Sequence, residues 1–437
     1  MAGGQPAIDW KEVTEEATDL LSRYITVDTS NPPGNEEAAA LFLADILHRE
    51  GLETQLYRAA PGRANLSARL PGDGSKRPFI LLNHTDVVPA EPSFWEEPPF
   101  AGTVRDGFIW GRGALDMKGM AVMELVAFLL LKRHGIPLKR DLVFLALADE
   151  EVGGDVGIVW MDRHHPEAMD AEYVLNEGGG GSTELLGVRK PIFNCSVSEK
   201  GPLWLKLRTR GSPGHGSVPH DDNSLERLVR ALYRVQAWQR PITVLPEIEL
   251  YLRGLRDGGV LPEIPDEKAL AQIAESTPMV RAVLTNTISV TTCTAGYKHN
   301  VIPAVSEATL DCRLLPGQSP QEFIEELKHV IDDPKVELEE VYRSETAPSP
   351  VQTELFDVLK EVTQARVEGS LFLPYISPGF TDSRIFRQRG VVAYGLMPVL
   401  LEPSDVAAIH GHDERISVEN LRLGTQLLFE IARRLCS

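Results

Sequence analysis

Short apolar runs of strand length alternate with longer stretches of helical periodicity, and this alternation constrains the fold more than any other feature of the chain. Pro78-Phe-Ile-Leu-Leu82, Leu142–Leu147 and Tyr173–Leu175 read as buried strands. Residues 9–25 and 35–51 carry helical periodicity on either side of the breaker Asn31-Pro32-Pro33-Gly34. Met117 to His134 reads as a helix ended by Gly135. Strands that take turns with helices predict an α/β domain with a largely parallel central sheet. At 437 residues the chain exceeds what a single core usually organises, so two domains are expected.

The texture changes near residue 197. Leu203, Leu205 and Leu207 alternate with Trp204, Lys206 and Arg208, the period-two mark of a half-buried antiparallel strand. A helix over 224–239 and strands over 287–294 and 308–314 follow. Ser319-Pro-Gln-Glu322 then opens another helix with a capping-box pattern. The order β-α-β-β-α predicts a small ferredoxin-like α+β domain. Residues 241–284, rich in leucine, proline and charge, are extra material inside it. The α/β texture resumes near 345, with a helix over 355–367, a strand over 391–396 and a closing helix over 418–435. The expected division is a discontinuous domain of residues 1–196 and 343–437 with residues 197–342 inserted.

Bulk properties exclude several classes. A formal charge of −19 repels nucleic acid and anionic membrane. The longest apolar stretch, Met120 to Leu131, contains Glu124 and falls far short of the roughly 20 residues of a membrane span. Cys195, Cys293, Cys312 and Cys436 are scattered with no C-x-x-C spacing, as idle thiols in a reducing compartment would be. The N-terminal MAGGQPAIDWKEVTEEATDL has neither a basic nor an apolar region of a secretory signal, so a cytoplasmic protein is expected.

The chemistry sits where the strands end. His84, Asp116, Glu151, Glu177 and His410 fall just after strand-like runs or in the loops beyond them, where open α/β sheets bind ligands. Asp86 stands two residues beyond His84, on the same side of an extended chain, where a carboxylate can orient a metal-bound imidazole. Asp116 lies in the glycine-rich Gly111-Arg-Gly-Ala-Leu-Asp116-Met-Lys-Gly119. Glu150 and Glu151 end the strand Leu142–Leu147; one can bind metal while the other takes a proton from water. Glu177 precedes four glycines. Such a set suits two divalent ions sharing one carboxylate, a device that activates water and polarises a carbonyl at neutral pH.

In series, H-x-D, G-R-G-x-x-D-M-K-G, D-E-E, N-E-G-G and H-x-x-D-E resemble the co-catalytic zinc metallopeptidase family of aminoacylases, succinyl-diaminopimelate desuccinylase and glutamate-releasing carboxypeptidases. The resemblance covers nearly the whole chain. It implies that Asp116 bridges two ions, that His84 and Glu177 complete one and Glu151 and His410 the other, and that Glu150 is the general base. The H-x-x-D-E spacing selects His410 over His412. A cis peptide after the bridging aspartate is also implied. The working ions would be zinc, with cobalt and manganese left open.

The inserted segment also matches. Gly211-Ser-Pro-Gly-His215-Gly-Ser217 resembles the segment whose histidine stabilises the oxyanion, often across a dimer. Asn300 and Arg313 match positions that hold the substrate carboxylate, a task suited to the planar guanidinium fork. Gly379 matches a loop whose backbone approaches substrate. Within the family, residues 241–284, the Asn31–Gly34 turn and Phe94-Trp95 resemble the carboxypeptidase S and N-fatty-acyl-amino-acid hydrolase branch. The expected activity is amide hydrolysis of N-acyl amino acids by a homodimer joined through the inserted domain. A carboxypeptidase acting on dipeptides or short peptides and a biosynthetic desuccinylase are the alternatives.

Overall fold

The computed structural model describes residues 8–437. Its larger sheet has eight strands in the spatial order Thr54–Ala60, Arg63–Leu70, Leu142–Leu147, Phe79–His84, Tyr173–Leu185, Val392–Leu401, Val188–Glu199 and Leu371–Ser377. The four central strands, from Leu142–Leu147 to Val392–Leu401, run parallel. The first two strands pair antiparallel, and so do the two arms of the hairpin Tyr173–Glu199. The sheet is therefore mixed, with its parallel part at the centre.

Both faces of that centre are covered, which explains why its strands read as continuous apolar runs. Leu81, Phe144, Leu175 and Tyr394 pack under helices Trp10–Ile25, Lys118–Arg133 and Val418–Cys436. Ile80, Leu82, Val143, Leu145 and Val174 point the other way, onto Ile158, Met161 and Phe386. Every residue from Lys118 to Leu131 is buried. Each large apolar side chain buried there contributes about 1.5–3 kcal/mol.

The smaller sheet is antiparallel, in the order Thr287–Ala295, Val305–Leu314, Gly201–Arg210, Val336–Arg343. With helices Ser224–Ala237 and Pro320–Ile331 on one face, this is the expected ferredoxin-like arrangement. Ser319 caps the second helix by accepting from the Glu322 amide at 3.3 Å. Residue 197 lies inside strand Val188–Glu199 and residue 343 inside Val336–Arg343, so both sequence boundaries cut a strand. Apolar texture marks the middle of a strand better than its end.

Residues 241–284 form three helices, Pro246–Asp257, Glu267–Ser276 and Pro278–Leu284. They lean on the edge strand of the larger sheet: Ile248, Leu270 and Leu284 pack with Ile376, and Leu255 with Leu373 and Ile192. Gly254 and Gly258 leave the room that Leu373 and Leu371 fill. Buried Lys200 ties the strand junction to this insert, donating to the Ala282 carbonyl at 2.8 Å, the Thr285 carbonyl at 2.8 Å and Thr287 Oγ1 at 2.9 Å. Among the described residues no helix is long and apolar enough to cross a membrane, and the four cysteines are free.

Candidate active site

The site is built from the carboxyl end of the parallel centre outward. His84 is the last residue of its strand and Glu177 lies within a strand that runs on to Leu185. Neither follows its strand, as the sequence had implied, because the hydrogen-bonded ladder extends beyond the apolar run. His84 Nδ1 donates to the Asp86 carbonyl at 2.9 Å. A carbonyl can only accept, so Nδ1 is spent on this bond and Nε2 is the nitrogen left for the site. It faces Asp116 Oδ1 at 3.1 Å and Glu177 Oε1 at 3.4 Å. On the far side of the same carboxylate, His410 Nε2 lies 3.0 Å from Asp116 Oδ2 and 3.3 Å from Glu151 Oε2. His412 instead stacks on Phe94, ring centroids 5.1 Å apart.

The Asp116 loop and the His410 loop are held together by one buried pair. Glu414 Oε1 accepts from the amides of Leu115 at 2.7 Å and Asp116 at 3.0 Å. Arg112 donates to Glu414 Oε2 at 2.6 Å and to the Gly411 carbonyl at 2.8 Å. His410 adopts φ +60°, an uncommon backbone for a side-chain-bearing residue. The Asp116–Met117 peptide is cis.

Asp86 organises the opposite wall. Its carboxylate accepts from the amides of Glu150 and Glu151, each at 3.1 Å, and so fixes the turn that carries both acids. Asn31 Nδ2 donates to Asp86 at 2.9 Å and to Asp149 at 3.0 Å. Arg63 joins Asp149 at 2.5 Å and also pairs with buried Glu36. The sequence reading saw Asn31 as part of a helix breaker and of a turn resembling one branch of the family, and gave it no place in the site. A polar residue opening N-P-P-G, upstream of an apolar helix, was the available signal.

Electrostatics test the set as a cation site. Burial pushes the Glu177 and Glu151 carboxyls up to about 7, and the nearby Asp116 charge adds to it. Glu150 is raised well above the usual carboxylate range, by burial first and then by Glu177. Hydrogen bonds to Asp116 and Glu151 raise His410 to about 10. Glu151 Oε1 is buried with no hydrogen-bond partner. His84, Asp116 and Glu177 can place their ligand atoms within 4.8 Å of one another, as can Asp116, Glu151 and His410. Two triads of nitrogen and carboxylate oxygen sharing one acid fit two divalent ions. No protein hydrogen bond engages the Glu150 side chain among the described residues.

The substrate-side candidates are divided. His215 and Asn300 sit together on the smaller domain, where strands Gly214–His215 and Val301–Ile302 pair and the Gly216 amide donates to the Asn300 carbonyl at 2.8 Å. The Ser217 amide donates to His215 Nδ1 at 3.1 Å, so neutral His215 carries its hydrogen on exposed Nε2. No hydrogen bond or ion pair joins either residue to the two triads. Arg313 spends its fork on Asp311, at 2.7 and 2.9 Å, rather than leaving it open for a carboxylate. Gly379 lies in the loop after Leu371–Ser377. Its neighbour Phe380, which the sequence did not single out, stands between Arg313 and Arg384 at 4.9 and 5.0 Å.

Comparison with known proteins places these features in context. A family model described as peptidase family M20/M25/M40 matches residues 80–434. The human N-fatty-acyl-amino acid synthase/hydrolase PM20D1 is 30% identical over 375 residues, covering 82% of this chain and 74% of the relative. Aminoacylase-1 from Sus scrofa is 28% identical, with 97% of each chain covered. The M20 family metallo-carboxypeptidase Sso-CP2 from Sulfolobus solfataricus superimposes with a TM-score of 0.71 at 19% identity, over 97% of this chain and 98% of that one.

Proposed function

The chain belongs to peptidase family M20/M25/M40 and is a metal-dependent hydrolase, and on that premise we propose that it cleaves the amide bond of N-acyl amino acids, releasing a carboxylate and a free amino acid. The observation that carries the reading is the shared acid: Asp116 turns one oxygen to His84 and the other to His410, with Glu177 and Glu151 closing the two triads.

His84, Asp116 and Glu177 would hold one ion, and Asp116, Glu151 and His410 the other. Zinc suits these donors. When bound, such a pair supplies Lewis-acid polarisation of the scissile carbonyl and lowers the pKa of water. The remaining roles belong to the chain. Asp86 keeps His84 in the tautomer whose Nε2 faces the site. Glu150, unengaged by other groups, takes the proton of the attacking water and returns it to the leaving amine. His215 offers its Nε2–H to the developing oxyanion, from its own subunit or a partner's. Asn300 and Arg313 receive the substrate carboxylate, Arg313 by exchanging Asp311 for it. A homodimer joined through the smaller sheet and a cytoplasmic location, in keeping with four free cysteines, complete the reading.

The test is amine release from zinc-loaded protein on acetyl- to long-chain-acyl amino acids, glycyl dipeptides and succinyl-diaminopimelate. Turnover of acyl amino acids is expected. A chelator should abolish it, and Glu150→Gln should lower kcat by about 10²–10⁴-fold. Turnover confined to dipeptides would replace this reading with a carboxypeptidase.

A further inference from the structure

The smaller sheet meets the turn that carries Glu150 at Tyr342. Strand Val336–Arg343 pairs with Gly201–Arg210 so that Leu338 lies opposite Leu207 and Glu340 opposite Leu205. The next partner, Trp204, lies opposite Tyr342 and not Val341, so Val341 is the extra residue of a bulge. Bulges re-aim the side chains that follow them. Leu203, Leu205 and Leu207 face the helices, and Trp204 between them faces away. The bulge therefore sends Tyr342 to the face that the helices leave uncovered. There its ring stands 4.9 Å from Trp204 and 6.3 Å from Phe380.

The receiving group on the larger domain is Arg384, which is wholly buried. Its Nη1 donates to the Thr381 carbonyl at 2.8 Å. Its Nη2 donates to the Gly153 carbonyl at 2.6 Å and to the Tyr342 hydroxyl at 3.4 Å, and two hydrogens on that nitrogen suffice for both. Gly153 closes the short turn Glu150–Val152, where its amide donates to the Glu150 carbonyl at 3.0 Å. A Cβ on Gly153 would stand 3.8 Å from the Tyr342 ring and hydroxyl. Asp86 grips the same turn at its start, through the amides of Glu150 and Glu151. The turn thus has two anchors, and the second is completed by the smaller domain.

We infer that Tyr342 is a positioning residue for Glu150. By taking one Nη2 hydrogen it sets the Arg384 guanidinium, which holds the Gly153 carbonyl and so the turn from which Glu150 projects. The inference rests on Glu150 as the general base. Proton transfer needs heavy atoms at about 2.6–3.2 Å, and a displacement of about 1 Å can cost about 10²-fold in rate. A small shift of this turn therefore registers in kcat.

The experiment measures kcat and KM on the acyl amino acid turned over fastest, in zinc-loaded wild type, Tyr342→Phe, Glu150→Gln and the double variant. Phenylalanine keeps the ring beside Trp204 and removes only the hydroxyl. The expected result is a kcat lower by about three- to tenfold, with KM and zinc content within about twofold of wild type. In the Glu150→Gln background the same change should cost nothing further, because a residue that acts through the base loses its effect when the base is gone. Arg384→Lys, which keeps the charge but cannot reach both acceptors, should show the same non-additive loss. An unchanged kcat in Tyr342→Phe overturns the inference. So does a raised KM at unchanged kcat, which would put Tyr342 on substrate binding. A loss from either substitution that repeats in full in the Glu150→Gln background also overturns it. All three outcomes leave the amidohydrolase reading intact. Full turnover by Glu150→Gln removes the base assignment, and wild type inactive on every acyl amino acid removes the reading; either takes this inference with it.

Discussion

At the scale of single residues, the site depends on carboxylates that are oriented before any substrate arrives. Asn31 is the clearest case. Its one side-chain nitrogen serves Asp86 and Asp149, and Asp86 in turn sets the Glu150–Glu151 turn. Asn31→Ala leaves two buried carboxylates short of a donor, each costing about 1–3 kcal/mol. The expected outcome is a lowered Tm and metal affinity weaker by about 10–100-fold, read by competition with a chelating dye. Unchanged affinity would remove Asn31 from the positioning network. The residues that converge at the centre were legible because each is a chemically distinctive side chain at or near a strand end. Asn31 was not, because its partner Asp149 stands 118 residues away and nothing local to either residue encodes the contact.

At the scale of elements, Lys200 fastens the insert to the junction of the two sheets. Burial, then the charges of Arg313 and Arg240, push its amine down to about 7 from an ordinary 10.5. Between those values the unfolded chain binds more protons than the folded one, so this group makes stability rise with pH from about 7 to 10.5 and has no further effect below. Lys200→Met should remove that rise. Apparent Tm at pH 7 and pH 9.5, compared between wild type and variant, measures it, and parallel slopes would contradict it. The element types were readable from periodicity, down to the Ser319 cap. The placement of residues 241–284 against Leu371–Ser377 was not, because an amphipathic helix announces that it has a buried face without naming what buries it.

At the scale of the whole molecule, the acids at the centre make the protein's stability depend on its ions. In chelated protein, Glu151 and Glu177 at about 7 and His410 at about 10 bind more protons folded than unfolded between pH 4.5 and 10. Stability therefore falls as pH rises through that window, and bound cations offset the loss. The Tm gap between zinc-loaded and chelated protein should widen from pH 5 to pH 8; a gap independent of pH would count against the shared site. The edge strand Thr287–Ala295 pairs on one side only and is exposed along its second half, so it is the proposed seam of the dimer. Replacing Thr292 and Thr294 together by lysine should shift sedimentation from dimer to monomer, and an unchanged dimer would place the seam elsewhere. The sequence by itself determined the strands, the helices, the ferredoxin-like order of the insert and the kinds of side chain available for chemistry, because periodicity and residue type are local properties. Only the tertiary structure decided which oxygen of Asp116 faces which histidine, that Arg313 is engaged by Asp311, and that the insert helices enclose an apolar cavity against the edge strand. Those facts depend on how layers pack across long separations in the chain, which no local pattern carries.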